Sequence, residues 1–273
     1  MATTRIASRD ARFQMLQALL SNRSKRHRAG EFIVQGVRPI MMAIANDWEI
    51  RSLLYDSERP LSTWARDLLG RVSSAEKIAV APDLLAELSE KTDGGVEVLA
   101  VVAMRPDDLN RVPVGADFLG VVFDRPVQPG NIGAIVRSAD AFGAGAVLTT
   151  GHAADAYDPK SVRASTGSFF AMPVVRSSSP REVIDWVEAQ RSRGVPLVMA
   201  AADERGESDV SAFDLTQPLL VLIGNETNGL SNAWREAADV TLRIPITGSA
   251  SSLNAANAAS VLLYEARRQR LAI

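Results

Sequence analysis

The chain has 273 residues, of which 47% are hydrophobic and 23% are charged, with a formal net charge of −2, as in globular proteins of one or two domains. It contains no cysteine and only two histidines, His27 and His152, which excludes disulfides, thiolate nucleophiles and cysteine-rich metal sites and predicts no metal. No apolar run approaches the roughly 18 residues of a membrane span, and the N-terminus has no apolar signal segment, so we expect a cytoplasmic protein.

The N-terminal stretch is strongly basic. Residues 1–30 hold seven Arg and Lys residues against Asp10 alone, a net charge of +6 (7 − 1). Such an asymmetry predicts an arm that contacts nucleic-acid phosphates. A solvated helix face is the alternative interpretation.

The first half of the chain alternates helix and strand patterns, which predicts a sheet covered by helices. Ser8 is placed to cap a helix that ends near Ser21 and has an apolar stripe, and a basic turn follows over 22–30. The remaining predicted elements are strands at 31–34, 50–55, 77–80 and 96–103 and helices at 39–46, 62–69 and 82–90. A polar stretch with two prolines, at 105–113, then predicts a domain boundary. We assign 1–106 to a first domain, 107–116 to a linker and 117–273 to a second domain.

The second half repeats the alternation. Its first strand, at 118–123, is a continuous apolar run, which is typical of a buried parallel strand. Further strands are predicted at 146–150, 174–175, 197–201, 219–223 and 240–244, and helices at 131–142, 181–191, 230–238 and 255–270.

Two polar loops follow strands of this second half. In the first, Asn131 is a good N-cap for the helix at 131–142, and Arg137 sits beside its apolar stripe, where it can bind a phosphate or carboxylate. A surface pair of Arg137 with Asp140 is the alternative. In the second, Gly224 and Gly229 flank Glu226, which either accepts a proton or hydrogen bond or caps the next helix.

The last loop and helix have an unusual composition. The stretch 244–254 passes from an apolar strand into a hydroxyl-rich loop, and the helix at 255–270 begins with small residues. A helix that is small or apolar on all sides must be covered on more than one face. We therefore expect chemistry at the loop that opens a buried helix.

Together these loops resemble the SpoU/TrmH branch of the SPOUT methyltransferases. The matching motifs are Asn131-x-Gly133-x-x-x-Arg137, Gly224-x-Glu226-x-x-Gly229-Leu230-Ser231 and Ile244-Pro245…Ser252-Leu253-Asn254. They stand in the family's order and spacing. Residues 5–103 resemble the family's N-terminal RNA-binding domain, a smaller α/β/α module like a ribosomal protein, and the run from Ser8 to Pro39 resembles the avilamycin-resistance 23S rRNA uridine 2′-O-methyltransferases.

The resemblance implies an α/β fold whose C-terminal parallel sheet contains a deep trefoil knot, and it implies a homodimer. It also implies S-adenosylmethionine held by three loops. The implied cofactor-binding residues are Thr149, Thr150, Gly151, Ile223, Gly224, Asn225, Ile244, Ile246 and Leu253.

The implied reaction is methyl transfer to a ribose 2′-hydroxyl, with a uridine of 23S rRNA as the expected target. Arg137 is the implied activating group. The implied positioning residues are Asn131, Glu226, Ser252 and Asn254. The alternatives are ribose or base methylation of tRNA and a non-catalytic RNA-binding dimer, because fold alone does not fix function.

Overall fold

The computed structural model describes residues 4–89 and 95–272 of the chain. The strands are β1 Thr4–Ile6, β2 Glu31–Gln35, β3 Ile50–Asp56, β4 Glu76–Val80, β5 Val98–Ala103, β6 Leu119–Asp124, β7 Ala146–Thr150, β8 Val174–Ser177, β9 Val198–Ala202, β10 Ser208–Asp209, β11 Leu219–Ile223 and β12 Val240–Arg243. The helices are α1 Ala11–Ser21, α2 Arg23–Ala29, α3 Val37–Ala45, α4 Thr63–Arg71, α5 Pro82–Ser89, α6 Pro129–Ala141, α7 Pro159–Ala164, α8 Pro180–Ser192, α9 Asn232–Ala237 and α10 Ala255–Arg270. Glu90, the predicted end of the helix that starts at 82, lies outside the described residues.

The chain divides into two compact units, Met1–Arg105 with Tyr157–Ala171 and Pro106–Ala156 with Met172–Ile273. The first unit contains a five-stranded sheet in the order β1-β4-β3-β5-β2. Strands β1, β4 and β3 are parallel, whereas β5 runs antiparallel to both β3 and β2. The predicted stripe of α1, namely Phe13, Leu16, Leu19 and Leu20, is buried in the core of this unit.

The basic turn predicted at 22–30 is wrong, because these residues form α2. Asn22 ends α1, and its side chain accepts a hydrogen bond of 3.0 Å from the amide of Lys25, which caps α2. Gly30, at φ +66°, closes the helix in a left-handed conformation that favours glycine. Strand β1 was not predicted either, since three residues carry no readable period.

The segment 157–171 belongs to the first unit, although both of its chain neighbours belong to the second. Its residues Phe169 and Phe170, each 1% exposed, pack in an aromatic cluster with Phe32 and Trp48. The indole nitrogen of Trp48 donates a hydrogen bond of 3.0 Å to the carbonyl of Phe170. This excursion differs from the predicted division at 107–116, which gave residues 157–171 to the second domain.

The second unit contains a seven-stranded sheet in the order β10-β12-β9-β11-β6-β7-β8, and every neighbouring pair is parallel. All residues of β6 are buried, as the apolar run predicted. The residues assigned to a linker, 107–116, lie in this unit, and Val112 is buried in its core.

Helix α10 packs on α6 within the second unit. The hydroxyls of Ser138 and Ser260 lie 2.7 Å apart, and the rings of Phe142 and Tyr264 meet edge to face at 5.8 Å. Its small residues Ala255, Ala256, Ala259 and Ala266 are buried, whereas one side of the helix stays exposed. In the described residues no helix is both long enough and apolar enough to span a membrane.

Candidate functional site

A cavity of about 470 Å³ lies at the carboxyl ends of β11 and β12, beside the start of α10. This is the edge at which ligands bind in open parallel sheets. The predicted site residues that line it are Ile223, Gly224, Asn225, Glu226, Ile244, Ile246, Ser252 and Leu253. The side chains of Ile246 and Leu253 each remain 38% exposed, which gives the cavity an apolar wall that is open to a ligand.

Further lining residues were not predicted from the sequence. Among them are Asp203, Glu204 and Arg205, which follow β9, and Arg235 of α9. A Cβ on Gly206 would lie 2.5 Å from the carbonyl carbon of Leu242, so this loop and the end of β12 pass each other backbone to backbone. The position directly after a buried strand is the one sequence signal that these residues carry.

The third predicted cofactor loop does not reach this cavity. Thr149 and Thr150 are fully buried, and the hydroxyl of Thr150 donates to Asp124 at 3.0 Å and accepts from the indole of Trp234 at 3.3 Å. Gly151 has a φ of +65°, and a Cβ there would lie 3.1 Å from the side chain of Arg125. Thr150 therefore supports the neighbouring loops, and none of these three residues lines the cavity.

Asp124 joins the loops that follow three strands. This fully buried carboxylate, at the end of β6, accepts hydrogen bonds from the Thr150 hydroxyl at 3.0 Å, from Nε of Arg125 at 3.0 Å and from the Ser231 amide at 2.9 Å. Arg125 extends the junction, since its Nη2 donates to the carbonyl of Gly229 at 3.1 Å. Sequence reasoning missed both residues.

A chain of polar side chains links the first turn of α6 to the loops 224–231 and 244–254, and one of its members, Glu226, lines the cavity. The side-chain amide of Asn131 donates to Glu226 at 2.9 Å, and that of Asn254 donates to the side-chain oxygen of Asn131 at 3.3 Å. Asn254 also caps α10 by accepting from the amide of Ala256 at 2.9 Å. The motifs that hold these residues lie far apart in sequence, and the fold brings them together.

The predicted N-cap role of Asn131 is wrong. Helix α6 begins at Pro129, and Gln128 occupies the N-cap position. Proline suits a first helical position, because it lacks an amide hydrogen that would have no partner there. Asn131 therefore lies in the first turn, where its amide is available to Glu226.

Glu226 is held as a carboxylate. Burial raises its pKa, but hydrogen bonds from Asn131 and from the backbone amides of Glu226, Val127 and Gln128 together lower the pKa below its ordinary value. The Val127 and Gln128 amides donate at 3.2 and 3.3 Å. Glu226 therefore serves here as a hydrogen-bond acceptor, and it does not cap α9, whose N-cap is Ser231.

Arg137 lies on the exposed side of α6, between the buried residues Val136 and Ala139. Its guanidinium forms no hydrogen bond or ion pair with Asp140 or with any other residue that the structure describes. The alternative interpretation as a surface pair is therefore wrong, and the charge is available to an anion.

Fold and site together define an α/β protein with a small-molecule cavity at the carboxyl edge of a parallel sheet. The sequence model of the SpoU rRNA methylase family matches residues 119–264, and that of the SpoU L30e-like domain matches residues 10–100. The chain belongs to the SpoU rRNA methylase family.

Individual relatives agree with this assignment. The 23S rRNA (uridine(2479)-2′-O)-methyltransferase of Streptomyces viridochromogenes is 63% identical over 99% of this chain and 94% of its own. The crystal structure of the SpoU methyltransferase AviRb from that organism, in complex with the cofactor AdoMet, matches with a TM-score of 0.90 and 61% identity, covering 97% of this chain and 100% of that one. The 23S rRNA (guanosine(2553)-2′-O)-methyltransferase RlmP of Bacillus subtilis is 27% identical over 91% of this chain and 93% of its own.

Proposed function

We propose that the protein methylates the ribose 2′-hydroxyl of a uridine in 23S rRNA, with S-adenosylmethionine as methyl donor. Two relatives are named for 2′-O-methylation of 23S rRNA, and the one that is 63% identical acts on a uridine. The observation that carries the proposal is the linked set Asn131, Glu226 and Asn254, in which Glu226 lines the cavity. The same unit presents Arg137 without a partner among the described residues.

The cavity fits S-adenosylmethionine in size and chemistry. Its volume of about 470 Å³ lies within the range of roughly 300–1,000 Å³ of small-molecule sites. Ile244, Ile246 and Leu253 offer apolar surface, whereas the carboxylates of Glu226 and Asp203 suit a positively charged ligand. When bound, the cofactor supplies a methyl group on a positively charged sulfur. Gly224, Ile244 and Leu253 hold it, together with Ile223, Asn225 and Ile246.

The protein's part in the reaction is to orient a weak nucleophile. Arg137 binds the phosphate beside the target ribose, because a guanidinium pairs with two phosphate oxygens at once, and its charge favours loss of the hydroxyl proton. Asn131, Glu226, Ser252 and Asn254 position the ribose. The 2′-oxygen then bonds to the methyl carbon as the carbon–sulfur bond breaks, its electron pair stays on sulfur, and the hydroxyl proton is released. Positioning of this kind lowers a barrier by on the order of 7 kcal/mol in favourable cases.

The Arg137→Ala variant tests this role. We expect methylation to be lost while S-adenosylmethionine, titrated by calorimetry, binds as to the wild type, since Arg137 does not line the cavity. Arg137→Lys keeps the charge but not the paired hydrogen bonds, so we expect it to recover part of the activity. A loss of cofactor affinity in Arg137→Ala contradicts the assigned role.

The position of the methyl group tests the reaction itself. After transfer from tritiated cofactor to 23S rRNA, a ribose 2′-O-methyl group blocks alkaline cleavage and leaves a labelled dinucleotide. A methylated base gives labelled mononucleotides instead, and a protein that only binds RNA gives no label. The same assay on tRNA separates the two RNA classes.

The proposal includes a wider organisation. The first unit, Met1–Arg105 with Tyr157–Ala171, binds RNA, and the second unit carries the methyltransferase. The enzyme is cytoplasmic, as its ribosomal substrate requires. A homodimer is supported by two apolar residues on one side of α10, Val261 and Tyr264, which are 38% and 56% exposed. Light scattering coupled to gel filtration measures the dimer. The family's trefoil knot is compatible with α10, whose Arg270 donates to the carbonyl of Phe118 ahead of β6.

A further inference from the structure

The basic charge of the N-terminal stretch is largely used within the first unit. Three arginines between β1 and the first turn of α1 pair with glutamates of the same unit, and the pairs are Arg5 with Glu58 at 3.8 Å, Arg9 with Glu87 at 2.8 Å and Arg12 with Glu76. The Arg12 guanidinium lowers the pKa of Glu76, against the effect of burial. These arginines are therefore partly neutralised before any ligand binds.

Arg26 has a structural role. Its side chain is 2% exposed, and Nη1 donates to the carbonyls of Leu19 at 2.9 Å and Leu20 at 3.0 Å, which lie at the end of α1. Its Nη2 lies 3.6 Å from the carboxylate of Asp158. Arg26 therefore anchors the buried side of α2, and the opposite side of this helix faces solvent.

The outward side of α2 carries Lys25 and Arg28. Both are exposed, and neither has a side-chain hydrogen bond or ion pair with any residue of the described ranges. Residues 11–30 contain no Asp or Glu, so no acid of this stretch offsets them.

We propose that Lys25 and Arg28, which we call the α2 cations, contact the phosphate backbone of the RNA substrate. This inference rests on the proposed function, and it gives the RNA contact to α2 and not to β1 or α1. Exposed cations without acidic partners displace the counterions condensed on the RNA when they bind its phosphates. An arginine already paired with a glutamate contributes less to this counterion release.

The test compares two double variants that lose the same charge. Binding of 23S rRNA transcript is measured against salt for wild type, for Lys25→Ala with Arg28→Ala, and for Arg9→Ala with Arg12→Ala. Each lost phosphate contact lowers the salt slope by about 0.7 for single-stranded RNA. We expect the first variant to lose about 1.4 in slope, which is roughly 25-fold in affinity at 0.1 M salt, and the second to keep the wild-type slope.

Equal slope losses in the two variants, or a larger loss in the variant of Arg9 and Arg12, would overturn the proposal. Thermal unfolding of each variant serves as the folding control, because both pairs lie in the first unit. If the wild type binds the transcript with the expected slopes but transfers no methyl group, the proposed function fails and the assignment of the α2 cations stands.

A second inference comes from the junction at Asp124, which is an independent observation. Arg125 stands at φ +50°, a conformation that costs a non-glycine residue free energy. Its side chain bonds to Asp124 and to the Gly229 carbonyl, and its own carbonyl accepts from the Asn225 side chain at 2.7 Å. Asn225 and Gly229 also bond to each other through both backbone pairs at 3.0 Å.

The geometry points to Arg125 as a positioning residue that sets the loop 224–231 for cofactor binding. It does not line the cavity, and it acts through Gly229, which does. This inference also rests on the proposed function. Arg125→Gly separates the guanidinium from the backbone, because glycine relieves the positive φ while it removes both side-chain bonds.

We expect Arg125→Gly to bind S-adenosylmethionine about tenfold more weakly or worse, as for lost bonds to a charged donor. Its urea midpoint should also fall, because the buried carboxylate of Asp124 loses its ion pair. Its KM for the cofactor should rise more than its kcat falls. Arg125→Lys, which keeps a cation near Asp124, should recover part of the affinity. Wild-type affinity in Arg125→Gly, or a kcat that falls as much as the KM for the cofactor rises, would refute the positioning role.

Discussion

The closest backbone approach in the cavity wall yields a sharp prediction for Gly224→Ala. A Cβ at this position would lie 2.5 Å from the carbonyl carbon of Gly229 and 2.5 Å from the amide nitrogen of Leu230. Gly224 does not have a positive φ, so alanine is compatible with its own backbone. The clash is with the backbone of Gly229 and Leu230 on the other side of the loop, which must move by about 1 Å to restore an ordinary contact.

The expected cost follows from this overlap. Overpacking by one methyl group costs about 1–3 kcal/mol when neighbours cannot yield easily, and the neighbours here are backbone atoms. If the loop relieves the overlap by opening, the variant must spend this free energy to regain the conformation that binds the cofactor. The Kd for the cofactor then rises by about 5- to 150-fold. Titration calorimetry with S-adenosylmethionine measures this loss.

Gly248→Ala is the matched control. Gly248 lies in the loop 244–254, and nothing stands within 4 Å of a Cβ built there. We expect this variant to bind the cofactor as the wild type does. The reasoning is refuted if Gly224→Ala binds within twofold of the wild type, or if both alanine variants lose affinity equally.

Three further variants test other parts of the molecule. Phe170→Ala should lower the free energy of unfolding by about 3–5 kcal/mol in urea, because the ring is buried in the aromatic cluster; a loss below 1 kcal/mol would contradict that packing. Glu265 has its pKa lowered to about 2 by hydrogen bonds from Arg268 and Gln269, so its contribution to stability is complete above about pH 4.5 and is lost as pH falls towards 2. Glu265→Gln should therefore be less stable than the wild type at about pH 7 and approach it near pH 2, and a constant difference in urea midpoints would disprove the linkage. Asn254→Ala should cost about 1 kcal/mol through the lost cap, in thermal unfolding, and an unchanged midpoint would argue against that cap.

The sequence predicts best what local patterns determine. The apolar runs that became β6 and β11 were readable, because strands buried on both faces exclude polar residues. Helix α2 was not, since a seven-residue helix with five basic side chains has no apolar period and depends on the bonds of Asn22 and Arg26.

The site shows the same limit. The motifs identified Asn131, Glu226 and Asn254. Their mutual hydrogen bonds, however, join residues that are separated by 95 and by 123 positions in the sequence. Asp124 binds partners 26 and 107 positions away, so nothing near it in sequence marks it as a junction. Thr149 and Thr150 show the converse, because the family resemblance placed in the cofactor site two residues that the fold buries.

The excursion of residues 157–171 has a consequence for synthesis on the ribosome. The core of the first unit includes Phe169 and Phe170, so residues 1–105 emerge without part of their own interior. At roughly 5–20 residues per second, the ribosome needs several seconds to add residues 106–171. During that interval Phe32 and Trp48 lack their aromatic partners, and the nascent first unit exposes an apolar surface on which chaperones can act.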